Sequence, residues 1–182
     1  MNQLMELINS HDHSVGPANA PLELVEYGDY ECPHCGHAYP IIKEIKQRLG
    51  DELRFVFRNF PLARIHPNAF AAAVATEAAA LQGKFWEMHD LIFEHQRALD
   101  NDNILLLAAS LGLDAEQFET DIHKQSLADK VETDFESGIR SGVNGTPTFF
   151  INGKKYEGEW LGRQLLEYLQ KELRLEVSAG DE

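Results

Sequence analysis

Val25-Glu26-Tyr27-Gly28-Asp29-Tyr30-Glu31-Cys32-Pro33-His34-Cys35 is the stretch on which the reading of this chain turns. Residues 22–27 alternate and are rich in Leu and Val, which predicts a strand. Residues 28–31 read as a loop. A helix is expected to begin at the cysteines and run to about Leu49, with Gly50 as its stop and Pro40 kinking it. The chain has only two cysteines. They fall three residues apart, where a loop turns into a helix.

That placement suits thiol chemistry. A thiolate, not a thiol, attacks a disulfide, and an ordinary cysteine, with a pKa of about 8.5, is mostly thiol at neutral pH. At a helix start the unpaired N–H groups and the positive end of the helix dipole favour an anion. Pro33 suits the first helical position, where its missing N–H had no partner to lose. A protonated His34 imidazole is expected to stabilise the sulfur anion further. Residues three apart share a face, so an unstrained disulfide can close between them. Cys32 is expected to be the exposed nucleophile and Cys35 the shielded, resolving thiol.

Other readings of the same residues compete. Two cysteines on one helical turn can be core packing. Cys32, His34, Cys35 and His37 cluster in sequence, so a structural zinc site is an alternative, although closed zinc sites draw four ligands from separate elements and no second cysteine pair exists. A redox-inert binding or chaperone module is the third.

Outward from the centre, residues 4–8 suggest a short helix, and residues 11–20 a polar lead-in with a Gly16-Pro17 turn. Residues 53–60 form a second expected strand. Helices follow at 68–82 and 85–96, then one capped by Asp102 and ending near Gly112, one capped by Asp114, and one opened by a Ser126/Asp129 capping box. Strand character returns at 148–151, with an Asn152-Gly153 hairpin signal and a partner strand at 154–157. A helix at 161–173 and a frayed tail at 177–182 close the chain. The order is β-α-β, then helices, then β-β-α. It implies an α/β fold: a discontinuous sheet-bearing domain, residues 1–61 and 141–182, interrupted by an α-helical insertion, residues 62–140.

Composition sets outer limits. The chain has 182 residues, of which 43% are hydrophobic, enough for a substantial core. Its formal charge is −14, from 16 basic and 30 acidic residues. Such a surface repels nucleic acid and anionic membranes, so neither is expected as a partner. The residues Met1 to Glu6 lack the pattern of a secretory signal, and no stretch has the length and apolarity of a membrane span. Cytoplasmic residence is the expectation.

The 25–35 stretch resembles the active-site strand, loop and helix start of DsbA-like proteins in the thioredoxin superfamily. Gly142-Val143-Asn144-Gly145-Thr146-Pro147-Thr148-Phe149-Phe150-Ile151-Asn152-Gly153 resembles the family's second signature, in which a cis-proline precedes a strand. The helical block resembles the insertion that separates DsbA-like proteins from plain thioredoxins. The resemblance implies a thioredoxin-like fold, with Cys32 and Cys35 as the redox pair. It implies that Pro147 is the cis-proline beside them and that Thr146 touches and tunes the catalytic sulfur. Glu26, six residues before Cys32, matches a buried acid that assists proton transfer; a solvent-facing glutamate is the equal alternative. Protein or peptide thiols and disulfides are the implied substrates, with glutathione or a redox partner for recycling and no cofactor.

Lesser features are read more plainly. Arg58-Asn59-Phe60-Pro61 and His66-Pro67 are taken as structural. Phe85, Trp86, Met88 and His89 are taken as core of the helical insertion. His11 and His13 are expected to be exposed and without a role. Tyr30 and Phe149 are candidates to border a peptide groove. The direction of exchange stays open: Pro33-His34 resembles the dipeptide of oxidising members, whereas a cytoplasmic location favours reduced dithiols.

Overall fold

The structure, a computed structural model, describes residues 2–180, with side chains through residue 175. Five strands form one sheet in the order β1-β3-β2-β4-β5. These are β1 (His13–Val15), β2 (Leu22–Gly28), β3 (Leu53–Asn59), β4 (Thr148–Ile151) and β5 (Lys154–Lys155). β2 and β3 run parallel, joined through helix α1 (Pro33–Leu49); the other pairs are antiparallel. Parallel neighbours need such a crossover, and both faces of the strand they share must then be covered. The burial of β2 follows: every residue but Glu23 is buried.

The period of two along the strands divides the core. Leu22, Leu24, Phe55 and Phe57 join one apolar cluster with Cys35, Ala38, Ile42 and Ile45 of α1. Val25, Tyr27, Val56, Phe60 and Phe150 join a second cluster on the opposite face. Glu26 has the parity of Leu22 and Leu24, so strand register directs it to the α1 face.

Between β3 and β4 come α2 (Ala69–Leu81), α3 (Phe85–Glu94), α4 (Asn101–Ser110), α5 (Ala115–Asp121) and α6 (Gln125–Arg140). Ala72, Ala75, Met88, Ile92 and Phe118 from these helices belong to the same cluster as Leu22 and Leu24. The helical block thus shares its apolar core with the sheet. α6 covers the other face of the sheet, where Gly138 is required: a Cβ there would lie 2.7 Å from the Phe60 ring and 3.0 Å from Tyr27. Helix α7 (Gln164–Gly180) buries Leu165, Leu166 and Leu169 against the main core.

Several expectations are corrected. Residues 4–8 are not helical. The segment is irregular, with a bend at Met5 and Glu6, and its start adds to the sheet edge, where Leu4 N–H bonds Gly153 O at 2.8 Å and Gln3 bridges Lys154. Five residues are too few to nucleate a helix when backbone partners lie alongside. The polar lead-in contains β1, too short for its alternation to register as a pattern. Asp100, not Asp102, caps α4, accepting from Asn103 N–H at 3.1 Å. α6 starts at Gln125 with no side-chain cap, so the expected Ser126 box is not formed. α1 continues through Pro40, and β5 is only two residues long. α7 begins three residues later than expected and extends to Gly180; residues 181–182 of the expected tail lie outside the described part.

Candidate active site

Cys32 is the N-cap of α1, with extended backbone at φ −71° and ψ 122°, and Pro33 follows it as first helical residue. The turn before it is organised by Asp29. Its Oδ1 accepts the N–H groups of Glu31 at 2.8 Å and Cys32 at 3.2 Å. Its Oδ2 takes Leu62 N–H and the His66 ring, both at 2.8 Å. The Asp29 N–H in turn points at Cys35 Sγ, 3.4 Å away.

Gln96 closes the same turn from beyond the end of α3. Its amide donates to Tyr30 O at 2.9 Å and Cys32 O at 2.7 Å. Gly36 leaves room for this contact, since a Cβ there would lie 2.3 Å from Gln96 Oε1. Sequence reading missed both Asp29 and Gln96. The Asp, a turn former three residues before the cysteine, carried a local signal; Gln96 carried none.

The expected site residues mostly converge. The Thr146–Pro147 bond is cis, and Thr146 O lies 3.5 Å from Cys32 Sγ, which donates to it as a thiol. The Thr146 hydroxyl is buried without a hydrogen-bond partner, free to bond the sulfur once it is an anion, and Thr146 lowers the Cys32 pKa. Both cysteines are free thiols in this structure. Cys32 is 4% exposed and Cys35 0%. The expected open nucleophile is therefore largely covered, and its residual opening is the difference between the two thiols.

The electrostatics separate them further. The Cys35 thiol donates to the Cys32 sulfur, and with Thr146 and the backbone N–H groups of Cys35 and His34 it outweighs burial and lowers the Cys32 pKa to about 5. Burial, the bond to Cys32, and the charges of Glu26 and Cys32 push Cys35 well above the ordinary thiol range. His34 thus donates to the sulfur through its backbone amide at the helix start. Its side chain and that of His37 are exposed, and among the described residues no group of three or more His, Cys, Asp or Glu could hold a metal.

Glu26 is 3% exposed, on the α1 face. Burial pushes its carboxyl up to about 8; the Lys46 ammonium opposes this and Cys32 adds to it. Lys46 itself lies over the Phe55 and Trp86 rings, 5.3 Å from each centroid.

Tyr30 and Phe149, 1% and 2% exposed, border no open groove. The Tyr30 hydroxyl pairs instead with buried His89, at 3.0 Å from Nδ1, and burial holds that imidazole well below its usual pKa. Phe85, Met88 and His89 are buried and Trp86 packs against the core. His11 is exposed. His13 is not idle: its ring stacks on Phe85 with centroids 3.6 Å apart, and its Nε2 lies 2.8 Å from Glu77 Oε2. Arg58 is buried in structural bonds, two of them to Asp12 at 2.8 and 2.9 Å.

A CxxC pair of unequal acidity at a helix start, against a cis-proline loop on a thioredoxin-like sheet, is the arrangement of a DsbA-like thiol–disulfide exchange site. The chain belongs to the thioredoxin family, whose family model, described as thioredoxin, matches residues 9–171. Among solved structures, BdbD from Bacillus subtilis is 26% identical with a TM-score of 0.79, over 90% of this chain and 94% of that one. The protein alpha-DsbA1 of Wolbachia pipientis shares the fold at TM-score 0.79 and 23% identity, over 95% of this chain and 96% of its own. A curated relative, Na(+)/H(+) antiporter NhaA 1 of Mycobacterium sp. (strain KMS), is 45% identical over 161 residues. That match takes 87% of this chain but 26% of the relative, so the chain spans about a quarter of the curated relatives it matches.

Proposed function

We propose that the chain exchanges disulfides with protein or peptide thiols in the oxidising direction. The observation that carries this is the low pKa of Cys32, about 5, beside a Cys35 thiol pushed well above the ordinary range. Whatever stabilises the Cys32 thiolate stabilises the reduced protein, and so makes its disulfide a stronger oxidant.

In this mechanism a substrate thiolate attacks Sγ of Cys32 in the disulfide form. The Cys32–Cys35 bond breaks, and Cys35 leaves as a thiolate. Its high pKa makes it a strong base, and Glu26, protonated near neutrality, supplies the proton. A second substrate thiolate attacks the substrate sulfur of the mixed disulfide and expels Cys32 as a stable thiolate. The substrate loses two electrons, which the dithiol gains. Glutathione disulfide or a redox partner then reoxidises the pair. Thr146 and Pro147 lie where an extended substrate would pass. An apolar groove of about 630 Å³, lined by Leu62, Ile65, Phe70 and Phe135, opens beside the loop whose Leu62 amide bonds Asp29. It supports a polypeptide substrate over a small thiol.

The domain division at residues 61/62 and 140/141 is part of this proposal, with helices α2–α6 as the insertion. Cytoplasmic residence is a separate one. It competes with the oxidising direction, because cytosolic glutathione would hold a dithiol of this acidity reduced; acid trapping and alkylation in cells would decide between them. The curated relatives' name supports placing the exchange beside a membrane transporter when the segment is part of a longer chain. No helix among the described residues is long and apolar enough to cross a membrane.

The deciding experiment is redox equilibration against a glutathione series, with Cys32→Ser as the inactive control in an insulin-reduction assay. A potential above the cytosolic glutathione poise is expected. A potential below it would make the chain a reductase, and unchanged exchange by Cys32→Ser would remove the exchange reading altogether.

A further inference from the structure

We propose that Asp29, held by His66, is the positioning residue of the exchange site, setting the acidity of Cys32 through backbone geometry. The proposal rests on Cys32 and Cys35 being the redox pair. The Asp29 side chain is completely buried. A buried carboxylate is costly unless donors surround it, and four N–H groups do so, two on each oxygen. Two come from the active-site turn, Glu31 and Cys32. Two come from a segment more than thirty residues on, Leu62 and His66. One carboxylate therefore pins the turn that carries Cys32 to the loop after β3. Glu31 fastens the same two segments again, accepting from Asn68 N–H and Nδ2.

This pinning determines what the two sulfurs meet. With the turn fixed, Cys32 stays at the N-cap, where the amides of His34 and Cys35 reach its sulfur. The Asp29 amide stays on Cys35 Sγ and favours its thiolate, the form that breaks a mixed disulfide. Gly28 completes the constraint: a Cβ there would lie 2.4 Å from the Phe57 ring, so the strand end before Asp29 is packed tight.

Charge and geometry act in opposite directions here, and that makes the proposal testable. A carboxylate near a thiolate repels it, so loss of charge alone would lower the Cys32 pKa. Loss of positioning would raise it. The experiment uses the full chain and reads the iodoacetamide alkylation rate of Cys32 against pH and the equilibrium with glutathione, with urea unfolding to check the fold. Asp29→Asn is expected to raise the Cys32 pKa by about one unit and to shift the glutathione equilibrium about tenfold toward the protein disulfide. His66→Ala is expected to shift both readouts the same way by less, and His66→Gln, which can still donate, to restore them. An unchanged or lowered Cys32 pKa in folded Asp29→Asn overturns the proposal. If that variant does not fold, His66→Ala decides: no shift overturns it. Failure of the wild type to reduce insulin would instead remove the exchange reading and leave the geometric result standing.

Discussion

The sulfur of Cys32 lies 3.5 Å from the carbonyl oxygen of Thr146, a residue 114 positions further along the chain. This contact joins the two halves of the site, because α1 delivers the cysteine and the loop before β4 delivers the threonine. It also brings the unpartnered Thr146 hydroxyl within reach of the sulfur anion.

The Thr146→Val substitution keeps the shape and removes that hydroxyl. A hydrogen bond to a charged group contributes about 1.5–3 kcal/mol, so the Cys32 pKa should rise by at least about one unit. Alkylation kinetics against pH measure it. A Cys32 pKa that stays at the wild-type value would mean the hydroxyl does not reach the thiolate.

Glu26 and Cys32 should give the reduced protein opposite pH dependences. The Glu26 pKa is raised from 4.5 to about 8, so between these values the folded state holds a proton the unfolded state has lost, and stability falls as pH rises. The Cys32 pKa is lowered from 9.0 to about 5, so the unfolded state holds the extra proton and stability rises with pH across that range. Each slope is about 1.4 kcal/mol per pH unit at most. Relative to wild type between pH 5 and 8, Glu26→Gln should therefore gain stability with pH and Cys32→Ser should lose it. Urea midpoints at pH 5 and pH 8 test both; parallel curves for all three proteins would refute the assignment.

Gly36→Ala should cost about 1–2 kcal/mol, by pushing the Gln96 amide off the carbonyls of Tyr30 and Cys32. The Gln96→Ala substitution removes the same two bonds. In a double-mutant cycle the two changes should be strongly non-additive, because the second finds nothing left to lose. Additive losses would show that the alanine acts elsewhere.

Arg58→Met should destabilise by about 3–5 kcal/mol, since it strands the buried Asp12 carboxylate. Arg58→Met combined with Asp12→Leu should recover much of that loss. Urea unfolding of the oxidised and reduced forms measures both. An equal loss in the double variant would show that the backbone bonds of Arg58 to Glu6 and Leu7 carry the stability.

The cysteine pair, the loop-to-helix junction at Pro33 and the order of elements from β2 onward were legible in the sequence, because each is a local property, whereas β1 was too short to read. Strand parity, N-cap position and the three-residue cysteine spacing involve neighbours in sequence. The thioredoxin-like architecture was implied by the resemblance of residues 25–35 and 142–153 to that family, and the family match over residues 9–171 agrees with it. Misreadings fell where local signals are weak or shared. Asp100 and Asp102 are both plausible caps, and only the geometry of the Asn103 amide separates them.

Unequal thiols are expected from the order of Cys32 and Cys35 at the helix start, but how far their acidities diverge belongs to the tertiary structure. By itself the sequence determined that Cys32 and Cys35 could close a disulfide at a helix start, since spacing and helix periodicity are enough for that. It could not assign Glu26 to the core or the solvent, and it did not show that the His34 backbone amide reaches the sulfur. Burial, the approach of Thr146 and the reach of Asp29 to Leu62 and His66 depend on which distant segments pack against the turn. Those contacts set the cost of each charge, and the cost of each charge is what divides an attacking thiolate from a buried thiol.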